Sequence, residues 1–348
     1  MIDNPILQED LEFIANKILN NGYFSNSTIL ITGATGLLGS LIVKSCLYAN
    51  KIFNTNITVL ATIRNREKAD QVFQGFTSNP KLKLITNNLL EPITINESID
   101  FIVHTASITA SKEMVENPTS VLLTAFESTK NLLEYLKKHS NTKMVYVSSM
   151  EYYGQISDNY ENVTEEQLGY IDLSKPRSSY PESKRVCEAL CNAYTAQYNL
   201  EVCSARLAQT FGAGVPLSDS RVFAQFAKSA VNKTDIILHT SGQSEGNYCY
   251  TADAIYGLFL LLQKGQQGQS YNIAHNHSSI LNMAKMVAEK IGHNQIKVKV
   301  QIPENINSLG YAPDVKLKLN SDKLKNLGWQ PEVDLENMFK RMIKSWEF

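Results

Sequence analysis

The sequence has no surplus of charge of either sign: Lys plus Arg number 33, Asp plus Glu 34. That balance excludes a global field for nucleic acid or an anionic membrane, so recognition has to be local and neither partner is expected. Cysteine is scarce. The five present, Cys46, Cys187, Cys191, Cys203 and Cys249, are odd in number and sit in apolar or helical contexts, which argues against a disulfide framework and fits a reducing compartment. Long apolar runs are missing too, none reaching the roughly 18 residues that cross a bilayer. The opening residues, MIDNPILQEDLEF, carry acids where a secretory leader has a basic stretch. These absences together describe a cytoplasmic protein. His275 and His277 form an HxH pair with no cysteine or further acid nearby, so a polar loop is expected there and no metal site.

At 348 residues the chain exceeds the usual single-domain length. Ile6, Leu7, Leu11, Ile14, Ile18 and Leu19 fall near helical spacing, which predicts an amphipathic helix packed on the main domain, and residues 1–27 are assigned to an N-terminal helical extension. From residue 28 onward the apolar runs TILIT, ITVLATI, LKLIT, FIVH and KMVYVSS alternate with helical patterns. That alternation predicts an α/β fold, a Rossmann-like doubly wound parallel sheet over residues 28–205. Beyond Arg206 the turn signals GAGVP, SGQSEGN and KGQQGQ loosen the rhythm, and residues 206–348 are assigned to a smaller C-terminal α/β substrate domain. The stretch CYTADAIYGLFLLLQK, about residues 249–264, is expected to return to the first domain and make the second discontinuous.

Gly33, Gly36 and Gly39 follow the first apolar run and open a helix, the context in which glycines let a backbone turn sharply and approach a pyrophosphate. Thr35, Leu37 and Leu38 complete a loop whose amides and helix dipole hold phosphates without a basic side chain. The cofactor implied is NAD(P). At the end of the second run, Ala-Thr-Ile-Arg offers no carboxylate to the ribose hydroxyls of NAD, and Arg64 suits a 2′-phosphate, so NADP is slightly favoured over NAD. Asn88, beside Leu89, is placed at the adenine edge. Ala106 and Ser107 are expected to line the cofactor cleft, and His104 either lines it or packs beneath it.

Tyr180 and Lys184 stand four residues apart in YPESK at the start of a helical run, so they share one face. An ammonium one turn from a phenol favours its ionisation. The resulting tyrosinate can take a hydroxyl proton as hydride leaves. Ser149 ends the run KMVYVSS at the C-terminal edge of the sheet, where its hydroxyl can bridge Tyr180 and a reacting oxygen. Cys187 and Cys191, further along the same helix, read as small buried hydrophobes.

TGATGLLG, SSMEYYG, YPESK, RLAQTFG at 206–212 and LKNLGWQPEVDLE at 324–336 give the chain a likeness to a known group. Over about residues 28–345 it resembles the extended short-chain dehydrogenase/reductases, in particular the nucleotide-sugar epimerase/dehydratase family. The resemblance implies that Ser149, Tyr180 and Lys184 form the catalytic triad, with Lys184 also holding the nicotinamide ribose, and that Glu151 removes the C5 proton once C4 has become a ketone. Oxidation at C4 acidifies C5 and permits loss of the C6 hydroxyl, so the chemistry requires such a base. Thr109, Met150, Gln209, Arg221 and Tyr250 are the candidate substrate contacts.

The chain departs from the family at several places. Met150 stands where dTDP-glucose dehydratases have Asp, Gln209 and Ala125 replace asparagines, and Gly246 replaces an Arg that clamps the substrate diphosphate, a task left to Arg221, Arg177 or another loop. The implied substrate is a nucleotide-diphosphate sugar or sugar alcohol oxidised transiently at C4, with 4,6-dehydration ahead of C4 epimerisation, C6 decarboxylation and 4-ketoreduction. The resembling enzymes pair two helices per subunit, here within residues 111–138 and 180–198, which implies a homodimer. A non-catalytic dinucleotide sensor is the rival of another class, and the intact trio argues against it.

Overall fold

The structure, a computed structural model, describes residues 3–156, 160–303 and 315–348. Its strands are, in chain order, β1 (Thr28–Thr32), β2 (Thr58–Ile63), β3 (Leu82–Thr86), β4 (Phe101–His104), β5 (Lys143–Ser149), β6 (Val202–Leu207), β7 (Gln209–Phe211), β8 (Ile236–Leu238), β9 (Glu245–Tyr250), β10 (Ser270–Ile273), β11 (Asn276–Ser279) and β12 (Val298–Val300). Seven of them make one parallel sheet in the order β10-β6-β5-β4-β1-β2-β3. Its inner strands are buried almost throughout, as the apolar runs of the sequence require of strands covered on both faces. The crossovers are helices Leu37–Phe53 between β1 and β2, Pro118–Lys138 between β4 and β5, and Ser179–Tyr198 between β5 and β6. Chain direction across the sheet reverses between β1 and β4, and there the carboxyl ends of the strands open a crevice.

Helix Thr251–Lys264 is buried along nearly its whole length and packs against β5 and β6. β10, which the sequence pattern did not assign to the main sheet, joins its edge beside β6. Two small sheets, β11-β9-β7 and β12-β8, stand beyond the carboxyl ends. No helix among the described residues is long and apolar enough to cross a membrane.

The N-terminal helix Pro5–Ile14 begins because Asn4 accepts from the Leu7 amide at 3.1 Å and proline occupies the first turn. Ile6, Leu11 and Ile14, with Ile18 and Leu19 in the π turn that succeeds it, bury the apolar stripe seen in the sequence against helices Leu37–Phe53 and Thr251–Lys264. Each such side chain contributes about 1.5–3 kcal/mol when fully buried. The same helix carries Asp10, whose carboxylate accepts from the Tyr250 hydroxyl at 2.8 Å and from Arg341 of helix Leu335–Lys344 at 2.8 Å. Arg341 also donates to the Tyr250 oxygen at 2.9 Å. Tyr250 is therefore a fully buried clasp between the two ends of the chain, and its assignment as a substrate contact is corrected: neither its ring nor its hydroxyl faces open space.

Candidate active site

The cofactor cradle is built where β1 meets helix Leu37–Phe53. Gly33 has φ +65°, and a Cβ on it would lie 2.9 Å from the Ala106 backbone and the Thr105 hydroxyl; a Cβ on Gly39 would lie 2.3 Å from the Gly33 carbonyl. These two glycines let the turn seat against β4 and the helix seat against the turn. Gly36 differs. It is exposed at the helix N-cap, and a Cβ there would meet only the Gly33 carbonyl, at 3.2 Å. The space in front of the Thr35, Leu37 and Leu38 amides is thus open backbone approach at the N-terminus of a 17-residue helix, which fits a dinucleotide pyrophosphate.

Beneath this cradle His104 packs and does not line it. Its Nδ1 lies 2.7 Å from the Thr32 hydroxyl and its Nε2 3.1 Å from that of Thr129, whose own proton goes to the Ala125 carbonyl at 2.8 Å. Thr129 must then accept, so the ring proton is on Nε2 and Nδ1 accepts from Thr32. Burial pushes the imidazole down to about 3, with the Lys184 charge acting the same way, so it is neutral. The Thr32 oxygen in turn accepts from the Ala106 amide at 3.2 Å, which fixes the Ala106–Ser107 turn at the end of β4 across from Gly33.

Arg64 is exposed at the end of β2, as its reading as a phosphate contact requires. Asn88 is exposed after β3, and its side chain supports its own turn, accepting from the Leu90 amide at 3.2 Å and donating to Glu91 at 3.3 Å, with a second amide N–H left to donate. The Leu89 carbonyl beside it accepts from Asn131 at 2.9 Å.

Helix Ser179–Tyr198 carries Tyr180 and Lys184 on one face, as the spacing predicts, and Ser149 closes β5 opposite them. The Lys184 ammonium is buried, donates to the Val147 carbonyl at 2.9 Å and stands 5.5 Å from the centre of the Tyr180 ring. Burial pulls it down to about 8, against the pull of the Glu188 and Glu151 carboxylates, so it remains largely protonated at neutral pH. The Tyr180 phenol is pushed well up, first by burial and then by the Glu151 charge; a hydrogen bond from Ser149 and the charges of Arg177 and Arg221 oppose this. The three groups therefore converge. The Ser149 oxygen also accepts from the Glu151 amide at 3.2 Å, capping the short turn Met150–Tyr153.

Glu151 is held by a partner that sequence reasoning does not pair with it. Arg177, in the turn Pro176–Ser178 that runs into the Tyr180 helix, donates one N–H to each carboxylate oxygen, at 2.7 and 3.1 Å. The sequence marks Arg177 only as a possible diphosphate contact; its position three residues before Tyr180 is the available signal. Arg221 is half exposed at the head of helix Val222–Asn232 and is paired with Asp219 at 2.6 Å. Thr109 and Gln209 are exposed beyond β4 and at the start of β7. Met150 reaches β9: a Cβ on Gly246 would lie 3.1 Å from its terminal methyl, so thioether fills the space where the resemblance expects an arginine. Cys187 and Cys191 are buried, and burial raises both thiols. His277 lies 3.6 Å from Glu245.

A seven-stranded parallel sheet, a glycine turn at its first crossover helix and a Tyr–Lys pair facing the end of β5 define a Rossmann-like protein of the short-chain dehydrogenase/reductase class. The chain belongs to the NAD dependent epimerase/dehydratase family, whose model matches residues 29–274. Similar curated proteins include UDP-glucuronic acid decarboxylase 1 of Xenopus tropicalis, 27% identical over 318 residues that cover 90% of this chain and 71% of the relative. UDP-glucuronic acid decarboxylase 6 of Arabidopsis thaliana is 28% identical over 330 residues, covering 92% and 89%. Among solved structures, the UDP-glucuronic acid 4-epimerase of Bacillus cereus in complex with UDP-glucuronic acid and NAD superposes with a TM-score of 0.74 at 20% identity, covering 92% of this chain and 99% of that one. The dTDP-glucose 4,6-dehydratase of Bacillus anthracis in complex with NAD gives 0.74 at 19% identity, covering 92% and 96%. At such identities the structural likeness is one of fold.

Proposed function

We propose that this protein modifies a nucleotide-activated sugar by transient oxidation of its C4 hydroxyl. The observation that carries the reading is the convergence of Ser149, Tyr180 and Lys184 at the carboxyl end of β5. The dinucleotide, when bound, supplies the hydride acceptor. Tyr180 takes the C4 hydroxyl proton, Ser149 orients the same oxygen through its hydroxyl, and the buried Lys184 ammonium compensates the charge that develops on the phenol. Gly33, Gly36, Gly39 and the amides of Thr35, Leu37 and Leu38 hold the pyrophosphate. Arg64, with no acid at its strand end, favours NADP slightly over NAD.

The fate of the 4-keto sugar depends on Glu151. As a base at C5 it directs 4,6-dehydration, and its place within electrostatic reach of the phenol supports that outcome. The named relatives support a second one, loss of a C6 carboxylate as carbon dioxide. A 4-keto acid loses carbon dioxide without any base, because the breaking carbon–carbon bond leaves its electron pair at C5. Assembly as a homodimer through helices Pro118–Lys138 and Ser179–Tyr198 is part of the same reading, and Leu122, Leu123 and Val186 are exposed on them.

The test is to identify the dinucleotide that copurifies and to incubate the protein with a panel of nucleotide sugars in deuterated water, reading products by mass spectrometry. Loss of water with deuterium at C5 supports dehydration, loss of carbon dioxide with deuterium at C5 supports decarboxylation, and unchanged mass without deuterium supports C4 epimerisation. Turnover only when NADPH and a 4-keto sugar are supplied assigns a ketoreductase. Tight dinucleotide retention with no turnover of any sugar would return the protein to a sensing role.

A further inference from the structure

Arg177 is bound in the way a substrate carboxylate would bind it. Both of its donor groups are engaged by one carboxylate in a two-pronged pair, the geometry in which a guanidinium selects carboxylates over single-point acceptors. That carboxylate is part of the chain, and the pair is open: the Arg177 and Glu151 side chains are 26% and 33% exposed, unlike the buried Tyr180 and Lys184 beside them. The pair sits where the turn Pro176–Ser178 feeds the 20-residue helix Ser179–Tyr198, and the positive end of that helix dipole adds to the attraction for an anion. The Glu151 backbone is fixed by the hydrogen bond of its amide to Ser149, whereas among the described residues its carboxylate accepts hydrogen bonds from Arg177 alone. Replacing it by a second carboxylate conserves both charge-assisted bonds, so the exchange costs little.

We propose that Arg177 is the receptor for a carboxylate on the substrate sugar, that Glu151 occupies it as an internal stand-in until substrate arrives, and that the substrate class is a nucleotide-activated uronic acid. This rests on the nucleotide-sugar reading above and sharpens it. Met150 against Gly246 presents thioether and no charge where β9 meets the turn that carries Glu151. Displacement also frees the Glu151 carboxylate beside the reacting carbons only when a substrate of the right charge is seated.

The experiment is calorimetric titration with UDP-glucuronic acid and with UDP-glucose, in a Tyr180→Phe background so that turnover adds no heat. Tyr180→Phe alone is expected to bind the acid only about two- to threefold more tightly than the neutral sugar, because the acid exchanges one charge-assisted pair for another, and the full preference of about tenfold, the scale of one such pair, is expected once Glu151 is neutralised. Adding Glu151→Gln widens that ratio, since the receptor no longer has a competitor. Adding Arg177→Gln brings the ratio to about one while affinity for UDP-glucose stays within about twofold, which also controls for folding. A ratio of about one in both the Tyr180→Phe and Tyr180→Phe/Glu151→Gln proteins overturns the inference, as does a preference for the acid that survives Arg177→Gln; in either case bound UDP-glucose leaves the nucleotide-sugar reading standing. If neither UDP sugar binds any variant, that reading falls for uridine nucleotides and the inference falls with it.

Discussion

The helix that carries Tyr180 is served by two arginine–glutamate forks that share their chemistry and differ in surroundings. Arg206 and Glu188 are 4% and 2% exposed; Arg206 also donates to the Tyr153 hydroxyl at 3.0 Å and the Glu165 carbonyl at 2.8 Å, and Glu188 accepts from Ser270 at 2.9 Å. Every polar atom of that pair has a use, and the partners come from β6, β10, the catalytic helix and the turn Met150–Tyr153. Arg177 and Glu151 have one another and open space. A buried fork with a full set of bonds is a bolt, because neither half can leave without stranding the other's charge. The partly exposed fork, 26% and 33% accessible, can lose one half at lower cost, because water replaces part of what is lost. Solvent access, more than bond count, sets the two forks apart.

The comparison breaks most sharply at Arg206. Arg206→Met leaves Glu188 charged and enclosed, and is expected to destabilise the protein by about 3–5 kcal/mol in urea unfolding. Arg206→Met with Glu188→Met should recover most of that loss, since the cost lies in the unpaired charge. A single-variant loss under about 1 kcal/mol would mean that the site admits water, and the distinction between the forks would collapse.

Lys184 lies between the forks, a buried cation whose neighbouring carboxylates are each claimed by an arginine. Its ammonium, drawn from 10.5 to about 8, binds its proton less well in the folded than in the unfolded chain. Folding therefore releases protons between about pH 8 and 10.5, and stability contributed by this group rises with pH through that window and is lowest below it. Lys184→Met is expected to abolish turnover while stabilising the protein at pH 7 by roughly 1–3 kcal/mol, the bond to Val147 being lost in exchange. Thermal unfolding from pH 7 to 10 checks this: the advantage of the variant should shrink as pH rises. A constant difference would assign the effect to packing.

Legibility in the sequence divides along the same line between local and distant partners. The glycine cradle and the Tyr180–Lys184 face are readable because each is set within one turn of backbone, by a strand-to-helix junction and by helical spacing. Ser149 is readable as the end of an apolar run. Tyr250 misleads because its environment is made by Asp10, 240 residues away, and by Arg341, 91 residues away, neither announced by any local pattern. The pairing of Glu151 with Arg177 spans 26 residues across a turn-rich segment, where no periodicity fixes which side chains meet. The place of β10 in the main sheet is hidden because four residues between turn signals have the same appearance in either domain. Asn88 shows a signal that is local and legible, since an asparagine two residues before the amide it caps marks a turn.

The smallest expected effect tests whether the open fork matters before any substrate carboxylate is present. Tyr180 is faced by Ser149 at the end of β5, by Glu151 and Arg177 from the two short turns, by Arg221 from the head of helix Val222–Asn232 and by Lys184 on its own helix; of these charges, Glu151 raises the phenol and Arg177 and Arg221 lower it. Removing the Arg177 cation makes the phenolate less favourable, so the rising limb of the pH profile for dinucleotide reduction should move to higher pH in Arg177→Gln. Removing the Glu151 charge acts oppositely, and Glu151→Gln should move the limb to lower pH in that first half-reaction, whatever it does to later steps. The double variant should lie between them, because the two charges act on the phenol in opposite directions. Stability of Arg177→Gln should change by less than about 1 kcal/mol, as for other partly exposed pairs. If Arg177→Gln lowers the rate equally at all pH values and Glu151→Gln fails to offset it, then the fork shapes the site without acting on the charge of Tyr180.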